Sequence, residues 1–254
     1  MDVPAQIRLG FQNQGLPLPS LTWIKSALPN RNPLPPLPAL TATVRARFLA
    51  ADLQTSGLFD SPPPAFPPNL SNVREKEVRL ARDVPVQVLD IENLSKSKWE
   101  QVEELEAIAR GEQTRGREVI RLPTASEEGE DAVDGQPVPS NGTAFERSGR
   151  GGPTAPANST NASSKTSTHR LILQDCKGQK IYGLELVRMS KIDIGTLNIG
   201  EKILLKRGTI VARGTILLEP TNCVILGGKV ESWHKAWVEN RLMRLREAVG
   251  ADRN

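Results

Sequence analysis

Residues 195–202, reading GTLNIGEK, come nearest in this chain to a phosphate-binding loop, with two glycines separated by four residues and then a lysine. A phosphate cradle needs backbone amides at a helix N-terminus and a Ser or Thr hydroxyl for Mg²⁺ directly after the lysine. Here the lysine comes one place late, no hydroxyl residue follows, and the next residues are the β-rich KILLKR. The spacing therefore predicts an inter-strand turn. His169 and His234 are the two histidines, and neither has a carboxylate or cysteine at ligand spacing; no metal or acid–base role is expected. Cys176 and Cys223 stand far apart with no CxxC pattern, and are read as reduced thiols in or near a core. With no nucleophile standing out, the expectation is a protein that is not an enzyme and carries no cofactor.

The elements around these residues are short. From 169 to 231 the chain packs strand-like runs between turns at Lys177-Gly178, Asn198-Ile199-Gly200, Arg207-Gly208 and Gly227-Gly228. The run VPVQVLDIENL (84–94) adds an earlier strand, with Val86, Val88 and Asp90 on one face and Leu89 and Ile91 partly on the other. Five strands interrupted by one long insertion predict a small β-barrel of the OB type. A helix over 230–248 should follow, burying Val230, Trp233, Trp237, Leu242 and Leu245.

Thirteen of the 20 prolines fall in the first 68 residues. Ser20 can cap a helix carrying Leu21, Trp23, Ile24 and Leu28. Leu40, Val44, Phe48 and Ala51 form a helical stripe widened by Leu49 and Leu53. With a weaker helix near Ile7–Phe11, residues 1–60 read as a three-helix bundle that leans on the next domain. The run SPPPAFPPNL, within a linker at 61–76, is either a linker or a pinned strap. Residues 77–250 then form the barrel domain. Ser97–Glu100 fits a capping box opening a helix with Trp99, Val102, Leu105, Ile108 and Ala109 on its apolar face. Trp23, Phe48, Trp99, Trp233 and Trp237 are each expected in a core or a domain interface. The stretch 111–168 is rich in Gly, Ser, Thr, Pro and Asn, with an acidic cluster at 127–131; most of it is expected to be disordered. Val119, Ile120 and Leu122 form one apolar island in it, read either as a segment that folds on binding or as a loop foot or extra strand.

Charge is mild: +4 overall, concentrated after residue 169, where 15 Lys and Arg face 9 Asp and Glu. Lys177, Lys180, Arg188, Lys202, Lys206, Arg207 and Arg213 could track a nucleic-acid backbone or make a solvated rim. Tyr182 is the single Phe, Tyr or Trp between 169 and 230, so no stacking platform is foreseen, and weak, salt-sensitive DNA contact is the most expected of Lys177, Lys180, Lys206, Arg207 and Arg213. No apolar h-region opens the chain and no run of 18 apolar residues occurs, which points to a soluble, intracellular protein without a membrane partner.

The segments GLEL, GEKILLKRG and ILLEPTNCVILGGKVE resemble the first OB domain of the RecQ-mediated genome instability protein 1 family, and LPLPSLTWIKSAL resembles that family's helix start. The family likewise carries a long insertion after the first barrel strand. The likeness implies a nuclear, non-catalytic subunit that binds a type IA topoisomerase (topoisomerase III) and works with a RecQ-family helicase to dissolve double Holliday junctions. It implies that the insertion reaches toward the topoisomerase gate, so that Val119, Ile120 and Leu122 contact the partner. Lys202, at the family's G-x-K position, would be an exposed cation pairing with an acidic patch, or else a plain edge-strand lysine. Because the chain ends after the barrel and its helix, as in short fungal members, no second OB subunit is expected. The alternative is a stand-alone single-strand-binding OB protein.

Overall fold

The computed structural model describes residues 2–30, 33–114, 117–118 and 167–250. Three helices open the chain: α1 (Val3–Asn13), α2 (Leu21–Ala27) and α3 (Leu37–Ala50). Pro4 and Pro38 sit in first turns, where a missing N–H breaks no helical bond. Ser20 caps α2, its Oγ accepting from the Trp23 amide at 3.0 Å. The apolar stripes meet on Phe48, whose ring takes edge-on contacts from Phe11, Trp23 and Phe59 at 5.5–6.1 Å between centroids. The expected three-helix bundle is present.

The strands are β1 (Val78–Arg79), β2 (Val84–Asn93), β3 (Gln113–Thr114), β4 (Arg117–Glu118), β5 (His169–Asp175), β6 (Lys180–Glu185), β7 (Lys202–Leu205), β8 (Ile210–Ala212), β9 (Thr215–Leu218) and β10 (Cys223–Gly227). Eight of them form a curled sheet, a half-barrel of the OB type, in the order β1-β8-β9-β6-β5-β2-β7-β10. Its pairings are antiparallel except β6 with β9. The remaining two, β3 and β4, pair with each other at the start of the insertion. Between β2 and them runs α4 (Lys98–Ala109), opened by the expected Ser97/Glu100 capping box.

The face assignment of β2 needs correction. Val88 pairs with Leu173 but Asp90 pairs with Ile172, so Leu89 is an extra, bulged residue. A bulge shifts side-chain parity by one. Val86, Val88 and Ile91 therefore all enter the core, while Asp90 turns away from it.

The C-terminal helix is in fact two, α5 (Glu231–Glu239) and α6 (Arg241–Val249). They break at Asn240, whose side-chain amide donates to the Ala236 carbonyl at 2.8 Å and competes with the backbone. Trp237 is the one buried member of the expected five; Val230, Trp233, Leu242 and Leu245 are half-buried. Trp99 is also not core: it is 52% exposed, and its indole N–H donates to Glu103. The proline run is a pinned strap. Phe66 is buried and its amide donates to Asp175 Oδ2 at 2.9 Å.

Two apolar clusters result, one inside the half-barrel and one in the helical bundle. Cys176, in the turn after β5, and Leu226 of β10 pack against the bundle cluster. A polar seam joins the two bodies. Buried Gln87 accepts from the Leu53 amide (3.0 Å) and donates to Asp52 Oδ1 (2.7 Å) and Gln174 Oε1 (3.1 Å). Gly228, at φ 95°, lets the chain pass the Leu49 carbonyl, where a Cβ would collide.

Candidate partner-binding surface

Strand pairing sorts the functional residues onto opposite ends of the sheet. At one end β2 finishes beside the start of β5 (Asn93 opposite His169), and on the other flank of β5 so does β6 (Leu184 opposite Arg170). Both feet of the insertion stand here, because the Leu94 amide donates to the Thr168 carbonyl (2.9 Å) and the Thr168 amide to Ser95 Oγ (2.9 Å).

The hub of this end is Glu185, the acidic residue of GLEL. It is 3% exposed, and its two oxygens accept from four donors. Oε2 receives the His169 amide (3.1 Å) and faces His169 Nδ1 (2.9 Å); Oε1 receives Arg188 Nη1 (2.9 Å) and the Met189 amide (2.6 Å). An ionised carboxylate only accepts, so His169 carries its hydrogen on Nδ1. Arg188 continues to Asp193 Oδ2 at 2.7 Å. One carboxylate thus ties the returning foot of the insertion to the loop after β6. The glycine two places earlier has a steric reason: a Cβ on Gly183 would sit 3.0 Å from both Leu173 and Leu218 side chains. Beyond the hub the loop presents Leu186 and Val187, 54% and 48% exposed, and Leu94 on the other side of Thr168 is 47% exposed. Three large apolar side chains therefore flank the feet of the insertion.

Next to them lies a groove of about 320 Å³ between the end of β2, α4 and α6. Asp90, displaced by the bulge, accepts from the Trp237 indole at 2.5 Å and from Arg244 at 3.3 Å, and Arg246 pairs with Glu106 of α4 at 2.8 Å. These bonds bind the C-terminal helices to the insertion end.

Lys202 is not on this surface. It is 1% exposed: β7 lies between β2 and β10 and is no edge strand, and the face that Lys202 shares with its pair partner Gln87 is covered by the segment around Asp52 and Leu53. Its Nζ donates to the Gly200 carbonyl at 2.5 Å. Burial pulls its pKa down to about 8, against the raising influence of Asp52 and Glu201. The expected exposed cation is thus an internal group facing the seam with the helical bundle. Burial likewise raises the neighbouring Glu201 carboxyl, although the Asn198 amides pull it the other way. Val119, Ile120 and Leu122 lie outside the described residues.

The expected DNA-contacting residues gather at the other end. Pairings Val86–Asp175, Val84–Leu205 and Tyr182–Thr215 bring together the turns that carry Lys177 and Lys180, Lys206 and Arg207, and Arg213. Lys206 is held by Asp83 at 3.2 Å, and Arg207 donates its amide to the same carboxylate. Those contacts draw Asp83 below the usual carboxylate range, the Arg207 amide first. Arg188, also named among the basic residues, belongs to the Glu185 hub. Tyr182 is 47% exposed with Arg170 over its ring at 4.9 Å. Among the described residues no three His, Cys, Asp or Glu side chains gather as a metal site, and no helix is long and apolar enough to cross a membrane.

The half-barrel and the helical bundle ahead of it each match a known family. Residues 66–241 match the family described as "RMI1, N-terminal OB-fold domain" and residues 11–56 match "RMI1, N-terminal helical domain". The chain belongs to the RMI1 family. It is also similar to RecQ-mediated genome instability protein 1 of Schizosaccharomyces pombe, 28% identical over 196 residues, which span 77% of this chain and 74% of that relative. The resemblance read in GLEL and GEKILLKRG is therefore that of an RMI1-family member, and the structure adds what those residues do: Glu185 and Lys202 are both interior. Sequence reasoning missed the Glu185 hub and the exposed Leu186-Val187 pair. The one available signal was the pair of aliphatics directly after a buried-strand acid, in GLELV.

Proposed function

We propose that this RMI1-family chain is a non-catalytic scaffold subunit that acts in genome stability alongside a RecQ-family helicase. Its direct partner is a type IA topoisomerase, topoisomerase III, whose gate it stabilises and modulates during double Holliday junction dissolution in the nucleus. In that role it serves DNA repair and replication and limits crossover recombination. The reading is supported above all by the insertion end, where Leu94, Leu186 and Val187 lie exposed around the feet of the insertion on a rigid, Glu185-stapled base. Exposed apolar side chains on a fixed scaffold suit a protein interface better than a substrate site. Val119, Ile120 and Leu122 extend this surface in the proposal; Lys202, buried at the seam with the bundle, is no part of it.

The decisive experiment is co-purification with topoisomerase III at moderate salt. Wild type should hold the enzyme, and Leu186→Glu with Val187→Glu should weaken it by about tenfold or more without lowering the melting temperature. Full binding by the double variant would remove this surface from the site. A chain that elutes alone yet binds oligo-dT at nanomolar concentration would establish the stand-alone single-strand-binding reading instead. A weaker DNA role is favoured by one observation, the convergence of Lys177, Lys180, Lys206, Arg207 and Arg213 on the opposite end, where they could meet DNA already held by the partner.

A further inference from the structure

The helical bundle has an uncovered side. Between α1 and α3 runs an open groove of about 800 Å³, lined by side chains that include Leu9, Gly10, Leu37, Ala42, Arg45 and Ala46. Leu9 and Leu37 are 48% and 38% exposed. The sequence of α3, LPALTATVRARFLA, is apolar on both sides, with Arg45 and Arg47 its only charges. A helix apolar all round is normally covered all round. The inner stripe, Leu40, Val44 and Phe48, is buried in the bundle, but the outer one has no cover.

Besides Arg45, the polar side chains that line the groove are the neutral Gln6, Asn13, Gln14 and Thr41, and the other arginines of the bundle are engaged elsewhere. Thr41 and Thr43 turn their hydroxyls back onto the Leu37 and Ala39 carbonyls at 2.9 Å each, and the Thr41 methyl faces Gly10 of α1. Arg47 donates to the Ala27 carbonyl, and Arg8 pairs with Asp60. Arg45 differs: it is exposed, with no ion pair or hydrogen bond among the described residues, and no carboxylate lines the groove. The floor is made of small residues, so a third helix could approach to about 8–10 Å between axes.

We propose that the α1–α3 groove seats an amphipathic helix of a partner protein, apolar along one stripe and carrying a carboxylate opposite Arg45. Burying Leu9 and Leu37 supplies the attraction, and the unpaired guanidinium in a groove without anions sets the sign of the flanking charge. The groove lies on the helical bundle, away from the insertion end, so this helix and the topoisomerase would be held independently.

The test uses the full chain, panned against a display library of amphipathic helical peptides about four turns long, followed by anisotropy measurements on the recovered peptides. Binders should carry Asp or Glu beside the apolar stripe. Ala42→Trp, which fills the groove from an exposed position, should weaken them by about tenfold or more. Arg45→Glu should do the same and shift preference to peptides with Lys at the acidic position. Neither variant should lower the melting temperature or release topoisomerase III. Recovery of no binder, binders indifferent to Ala42→Trp, or an unchanged charge preference in Arg45→Glu would overturn the proposal. So would a wild-type dimer in sedimentation that Ala42→Trp abolishes, since the groove would then belong to a second copy of this chain.

Discussion

Glu185 and His169 meet twice, through the histidine amide and through its Nδ1, and both contacts use one buried carboxylate oxygen. The pair joins the last residue of β6 to the first residue after the insertion. His169 Nε2 is itself buried without a partner among the described residues, so the ring is held from one side only.

Glu185→Ala should be among the most damaging single changes in the chain. It strands the His169 and Met189 amides and takes from Arg188 one of its two carboxylate partners, leaving Asp193. Removing one member of a buried charged network costs roughly 3–5 kcal/mol, measurable as a fall in the urea midpoint. A variant within about 1 kcal/mol of wild type would show that the carboxylate is not the clasp of this end.

The helical bundle should loosen when the seam is cut. Gln87→Ala removes the acceptor of the Leu53 amide and the donor to Asp52 and Gln174. We expect a loss of about 1–3 kcal/mol and faster proteolysis between the bundle and the strap. Equal digestion rates would place the junction's strength elsewhere.

Lys202 should make stability rise with pH. Below pH 8 the folded and unfolded chains both carry its proton, and the cost of burying the charge is present in full. Between about 8 and the unfolded value of 10.5 the unfolded chain holds the proton more strongly, so stability increases. The gain amounts to roughly 3 kcal/mol at most. Lys202→Met should remove this contribution and melt no lower than wild type at pH 7. Matching pH profiles for the two proteins would contradict the buried placement.

The cysteines should differ from free thiols. Burial raises both, and Cys223 is pushed up to about 12. At pH 8 the native protein should leave Cys223 unmodified by a thiol reagent and react slowly at Cys176, and denaturant should release both at once. Prompt native labelling of Cys223 would mean that β10 opens readily.

Deleting residues 111–165 should leave a folded protein, because Leu94, Ser95 and Thr168 bond to one another without the segment between them. The shortened chain should still bind topoisomerase III but no longer alter its decatenation rate. Unfolding on deletion would show the insertion to be structural.

The local grammar of this fold was legible in the residues. Ser20 and Ser97 announced two helix starts, Lys177-Gly178 and Arg207-Gly208 marked hairpin turns, and the 3.6-residue stripe of α3 marked the bundle core, since caps, turns and periodicities depend on neighbours a few positions apart. The family likeness was equally readable, because it rests on linear strings such as LEPTNCVILGG. Other features depended on partners far along the chain. Asp90 leaves the barrel face because Leu89 bulges against β5. Lys202 is no edge residue because β10 and β2 flank β7, and it is interior because the segment around Asp52 and Leu53 covers its face of the sheet. A lysine written in a strand looks the same at an edge or in the middle, and only the order of strands, set by pairings up to more than a hundred residues apart, decides which it is.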